Sequence, residues 1–142
     1  MTIRDFTTEN WEELGINGYV DLIGPLLRSK KPGDRHVYGL LAQEKHENRL
    51  GTIHGGVLAG LLDQVIAITA WDAADRQPTV TVQMDIRFLG AAKAGAFLEA
   101  RAAIKHSTRS LVFVDADITC EDKKIATGTA VMKIIKESGQ RK

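Results

Sequence analysis

The sharpest change of pattern along the chain comes at His54. From there to about Asp72 the residues are apolar almost all round: Val57, Leu58, Leu61, Leu62, Val65, Ile66, Ile68 and Trp71. A run of that length predicts a helix buried on most sides, not one laid on a surface. After it the period changes. In "TVTVQMDIRF", Val80, Val82, Met84, Ile86 and Phe88 alternate with Thr79, Thr81, Gln83, Asp85 and Arg87, the period-two mark of a strand with one buried face. "FLEARAAIKH" alternates more weakly, with Leu98, Ala100, Ala102 and Ile104 on one face, and "SLVFVDADITC" and "KIATGTAVMKII" are strand-like runs around the turn "EDK". Ahead of the helix, "GPLLRSK" and "RHVYGLLA" read as short strands joined by the turn "KPGD", and "QEKHENRLG" as a loop. "TTENWEELG" predicts a short helix over about 8–15, capped by Thr8 or Asn10, with Glu12 and Glu13 in its first turn and Gly15 ending it.

Two strands, one buried helix, then three or four antiparallel strands predict an α+β fold. A curved sheet around the helix would bury it on nearly all sides. No repeat or linker interrupts the pattern. The 142 residues, 44% of them hydrophobic, suit one domain over 1–142 with its core over about 20–136.

Charge then removes several partners. Lys and Arg number 19 and Asp and Glu 18, so no net field points to nucleic acid or an anionic membrane. Cys120 is the lone cysteine, which rules out a disulfide within one chain. "MTIRDFTTENWEEL" has no apolar leader, and Asp63 and Gln64 break the longest apolar run before it could span a bilayer. A soluble, cytoplasmic protein is expected. The sequence has no G-x-S-x-G elbow, "GAAKAGA" ends in Ala96 where a phosphate loop needs lysine, and His36, His46, His54 and His106 lack metal-ligand spacing. Neither metal nor cofactor is expected.

The candidate chemistry lies at the start of the helix. In "IHGGV", Gly55 and Gly56 stand where the loop becomes helix. The first amides of a helix lack intrahelical partners and favour negative charge, so a carbonyl could be polarised there; a plain glycine turn would look the same. Asp63 interrupts the apolar run, and a carboxylate out of water needs a partner or a function. In apolar surroundings it would be a stronger base; the other reading is a carboxylate satisfied by local hydrogen bonds. Asp63 comes nine residues after His54, roughly 13 Å along a helix axis at 1.5 Å per residue. One chain's glycine amides and its own carboxylate cannot act on one small group. A catalytic site would need a second, antiparallel copy of the helix, and hence a two-fold dimer.

"NRLGTIHGGVLAGLLD", then "VTVQMDIRFLGAAKAG" and the closing strand pair, resemble the PaaI-type branch of the hotdog-fold acyl-CoA thioesterases, within the 4-hydroxybenzoyl-CoA thioesterase-like superfamily, over about residues 35–135. The resemblance implies a long helix wrapped by a curved antiparallel sheet, subunits paired as a homodimer or homotetramer, and hydrolysis of an acyl-CoA to free acid and CoA without metal or cofactor. It implies the polarising amide at Gly55, with His54 and Asn48 shaping the loop and orienting the thioester or the water. Asp63 of the opposite subunit would be nucleophile or general base, and Thr81 would position the water. Strict alternation, however, puts Thr81 with Thr79 and Gln83 on the face away from the helix. Substrate contacts are expected from Gly56 and Leu62. Arg87, Lys93 and Arg109 are expected to meet the CoA phosphates, with Lys105 and Lys123 as further candidates. Leu58, Leu62, Trp71 and the N-terminal segment are candidates for the wall around a small, medium or aryl acyl group. A non-catalytic acyl-CoA-binding or regulatory protein is the alternative. A hydratase or dehydratase fits less well, because no histidine follows His54 in the helix.

Overall fold

A computed structural model describes residues 10–136. The elements in order are β1 (Trp11–Leu14), α1 (Tyr19–Ile23), β2 (Leu26–Ser29), β3 (Val37–Leu41), α2 (Gly55–Ala73), β4 (Thr79–Phe88), β5 (Phe97–Ser107), β6 (Leu111–Cys120) and β7 (Lys123–Ile134). All seven strands form one antiparallel sheet in the order β1-β2-β3-β5-β6-β7-β4. The α2 helix packs on β4, β5, β6 and β7. This is the expected α+β arrangement, a hotdog fold.

The N-terminal expectation is corrected. Residues Trp11–Leu14 are a strand whose partners run from Ser29 back to Leu26. Four residues cannot sustain a helix in isolation, and pairing with β2 outweighs the capping pattern. Thr8 lies outside the described residues. The short helix α1 falls where no periodicity marked one. The strands after α2 match the sequence reading, and the β6–β7 connection is a two-residue turn with Glu121 at φ 48° and Asp122 at φ 67°. Two successive positive φ values suit the twist of a tight hairpin.

The all-round burial expected of α2 is half met. Leu58, Leu61, Leu62, Val65, Ile66, Thr69 and Ala70 are sealed against the sheet, with Leu98, Val114, Ile118, Ile125 and Met132 on the facing strands. On the opposite flank Ala59, Gly60, Gln64, Ala67 and Ile68 are only half-buried, and Trp71 is 41% exposed. One sheet covers one side of a helix. The apolar strip on the other side is only partly covered among the described residues: α1 lies over Gly60, where a Cβ would stand 2.8 Å from the Tyr19 hydroxyl, and Leu14, Ile16 and Pro78 border Ala67, Ile68 and Trp71. By length and composition alone α2 could cross a membrane; in the fold it is the central core element.

Candidate active site

The loop before α2 is tied down bond by bond. The Asn48 Oδ1 accepts the amides of Leu50 at 2.9 Å and Thr52 at 3.1 Å, and its Nδ2 donates to Thr52 Oγ1 at 3.0 Å. Asn48 therefore ties the loop from Leu50 to Thr52 together. The Ile53 amide donates to Ala92 O at 2.8 Å and the His54 amide to His46 O at 2.8 Å. At the start of α2, His54 is the N-cap: its Nδ1 accepts the Gly56 amide at 2.8 Å, and its carbonyl accepts the Val57 amide at 2.9 Å. Of the four amides from His54 to Val57, Gly55's alone has no partner among the described residues. A helix N-terminus ordinarily leaves several donors open; here the local bonds narrow them to one. The ring of Phe88, at the end of β4, stands beside it, 3.5 Å from where a Gly55 Cβ would be.

Asp63 lies two turns further along α2, about 12 Å from Gly55 at 1.5 Å per residue. It is half-buried, and its Oδ1 accepts the Thr81 hydroxyl at 2.8 Å. Its Oδ2 has no hydrogen-bond partner among the described residues. The side expected for Thr81 is overturned by a β-bulge. Thr81 pairs with Met132 and Gln83 with Val131, so Val82 is an extra residue in β4. An extra residue reverses the alternation on one side of it. Thr79 and Thr81 thereby join Met84 and Ile86 on the helix side, while Val80 and Val82 turn outward, 48% and 58% exposed.

The remaining candidates separate. Gly56 donates to the N-cap, and a Cβ there would stand 3.1 Å from His54 Nδ1, which accounts for glycine. Leu62 has no exposed surface and packs against Gly128 of β7, so the structure makes it core and not a substrate contact; Leu58 is also buried. Arg87 is exposed near the end of β4, and Lys93 is exposed in the loop whose Ala92 carbonyl holds Ile53, so both lie toward the start of α2. Arg109 is in the β5–β6 turn beside Ser110, whose carbonyl accepts the Ile134 amide, at the end of the sheet where α2 finishes. The ten residues of β6 separate those ends by roughly 30 Å at 3.3 Å per residue. Within one chain Arg109 does not join the other two. An apolar groove does run along the open flank of α2, lined by Leu14, Ile16, Ala67, Ile68, Trp71 and Pro78, with Gln64 and Thr79 beside Asp63 and Thr81 at its near end.

His46 was not singled out by any motif, yet it holds this loop. It is 2% exposed; its Nδ1 accepts the Gln43 amide at 2.9 Å and its Nε2 lies 2.6 Å from Ile23 O. Burial pushes its imidazole below the ordinary histidine value.

Residues 50–127 match the family model described as "Thioesterase superfamily". Human acyl-coenzyme A thioesterase 13 is 31% identical over 104 residues, covering 72% of this chain and 74% of that protein. The crystal structure of zebra fish thioesterase superfamily member 2 superposes with a TM-score of 0.68 at 26% identity, covering 89% of this chain and 82% of that one. A hypothetical thioesterase protein from Streptococcus pneumoniae TIGR4, in its crystal structure with coenzyme A, gives a TM-score of 0.67 at 25% identity, covering 72% and 82%.

Proposed function

The chain belongs to the Thioesterase superfamily and is a thioester hydrolase, and from that premise we propose that it cleaves acyl-CoA at sites shared between two subunits. The observation that carries this reading is the pair of positions on α2 left open among the described residues: the amide of Gly55 and one carboxylate oxygen of Asp63, two turns apart. An antiparallel second copy of α2 brings Gly55 of one subunit beside Asp63 of the other. The half-buried apolar flank of α2 and the edge strand β4, paired with β7 alone among the described residues, supply surface for that copy.

In such a site the Gly55 amide donates to the thioester carbonyl oxygen and strengthens its bond as that oxygen becomes negative in the transition state. Thr81 holds Oδ1 of Asp63, which leaves Oδ2 aimed for the reaction. Either Oδ2 removes a proton from water as its oxygen attacks the carbonyl carbon, or it attacks that carbon itself and water cleaves the resulting anhydride. Both routes expel the CoA thiolate and leave a free acid. Neither requires a metal or a cofactor. The CoA carrier is supported by the human relative's name and by the coenzyme A of the pneumococcal structure. Arg87 and Lys93 are the cations placed for its phosphates. The apolar groove from Asp63 to Trp71 suits a small, medium or aryl acyl group. Balanced charge and the lone Cys120 fit a cytoplasmic enzyme with no nucleic-acid or membrane partner.

Complementation tests the shared site. Gly55→Pro removes the amide proton and adds a ring whose Cβ would stand in ordinary contact, 3.5 Å, with Phe88. The backbone suits it, because proline is well accepted at the first helical position and His54, at φ −60° and ψ 137°, already has the extended backbone that precedes proline. Gly55→Pro and Asp63→Asn should each be nearly inactive. Mixed after unfolding and refolded together, they should recover about a quarter of wild-type thiol release, since half of random dimers carry one intact site. No recovery, with heterodimers present, would place the whole site in one chain. Calorimetric binding of acyl-CoA by wild type without thiol release would make the protein a binder.

A further inference from the structure

We infer that His46 is the positioning residue of the Gly55 amide: its ring and its carbonyl together set where the single free donor of the α2 N-terminus points. The role rests on the thioester reaction proposed above, but its geometry stands without it. The Nδ1 atom accepts the Gln43 amide, so it carries no proton, and Nε2 must then donate to Ile23 O. One ring thereby joins the loop's beginning to the end of α1, where Lys45 Nζ adds a bond to Gly24 O at 3.0 Å. With the ring clamped, the His46 carbonyl receives the His54 amide at 2.8 Å. His54 in turn engages the amides of Gly56 and Val57 through its Nδ1 and carbonyl. The peptide between His54 and Gly55 is therefore held by His46 ahead of it and by the helix behind it. The amide it presents is the one left open. A buried imidazole with both nitrogens and its carbonyl engaged has no capacity left for substrate, so His46 acts through Gly55 and not on the reacting atoms.

A residue that only stabilised the fold would lower the yield of folded protein and leave each folded molecule equally active. A residue that aims an oxyanion donor affects the transition state more than the bound ground state. His46→Leu should lower kcat per folded protein about tenfold or more, within the range seen for losing an oxyanion donor, while KM for octanoyl-CoA stays within about threefold. His46→Asn can place an amide oxygen where Nδ1 accepts from Gln43, so it should recover part of that kcat. Ile118→Val, a core substitution on β6 that breaks none of the loop's hydrogen bonds, serves as control and should leave kcat unchanged. Backbone hydrogen exchange provides a readout without turnover: the His54 amide should exchange about tenfold or more faster in His46→Leu and not in Ile118→Val. Unaltered kcat and unaltered His54 exchange in His46→Leu would overturn the role, as would a loss falling on KM alone. If wild type releases no thiol from any acyl-CoA, the reaction assigned above fails, and exchange at His54 still decides whether His46 fixes this peptide.

Discussion

The hydroxyl of Thr81 donates to Oδ1 of Asp63 at 2.8 Å, and it reaches the carboxylate because Val82 is an extra residue in β4. Thr81→Val keeps the shape and removes the bond, freeing the carboxylate to rotate. The expected result is a fall in kcat of about tenfold, in line with losing a positioning hydrogen bond of about 1.4 kcal/mol. Thr81→Ser should stay close to wild type. Equal kcat for all three proteins would mean that the bond has no part in catalysis.

Asp63→Asn separates chemistry from packing. The amide oxygen can still accept the Thr81 hydroxyl, so the thermal midpoint should hold or rise, while general-base or nucleophilic action disappears. A loss of at least about a hundredfold in kcat is expected, with little change in KM. A variant that melts early yet turns over normally per folded molecule would show that the carboxylate is structural.

Gly56→Ala disturbs the cap. Its Cβ would meet His54 Nδ1 at 3.1 Å and weaken the bond that the Gly56 amide makes there. Loss of a cap costs about 1 kcal/mol, and alanine's better helix propensity offsets up to about 1 kcal/mol of it. The midpoint should therefore move little while kcat drops, as the N-cap side chain swings and the Gly55 amide loses its setting. Thermal scans and steady-state rates on one preparation check both halves.

For the CoA phosphates, Arg87→Glu with Lys93→Glu should raise KM for acyl-CoA at least about fivefold more than for the matching N-acetylcysteamine thioester, which lacks phosphates. Arg109→Glu measured alongside asks whether the partner subunit returns that residue to the site. A change equal on both substrates would remove Arg87 and Lys93 from CoA binding.

Acid should destabilise the fold through two histidines, His46, which is buried, and His36, which is half-buried. Burial is the largest cause holding both His46 and His36 below the ordinary value of 6.5; Asp72 partly offsets it at His36, and Lys45 adds to it at His46. Unfolding restores the ordinary value, so the unfolded chain binds more protons in acid. Stability is thus full above about pH 6.5 and falls as pH drops through it. Urea midpoints measured at about pH 8 and about pH 5.5 should show this fall, and His46→Asn should show less of it. A midpoint that rises in acid would contradict the sign.

The core was legible and the faces were not. Apolar residues on all sides marked α2 as the central helix, and four of the strand runs emerged with nearly the expected limits, because period and composition report burial directly. The helix expected over 8–15 failed where only tertiary pairing could decide, since Trp11–Leu14 gain their hydrogen bonds from β2. Thr81 was misplaced for a different reason. Alternation in "TVTVQMDIRF" is unbroken in the letters, and a bulge is a property of the pairing with β7. His46 sat in a polar loop with no periodic signal. Its importance lies in two backbone atoms, Gln43 N and Ile23 O, and no side-chain pattern records them.

The end position of β4 has a consequence for handling the protein. One row of its backbone groups lacks a strand neighbour among the described residues, and Val80, Val82, Phe88 and Leu89 lie exposed along or beside it. Such an edge is a template for indiscriminate strand addition. Where the proposed second copy covers this edge, dilution, which slows aggregation of most proteins, would strip that cover and leave lone chains open to misassembly. The enzyme should keep best in concentrated stocks, and its activity on long incubation should decay fastest in the most dilute ones.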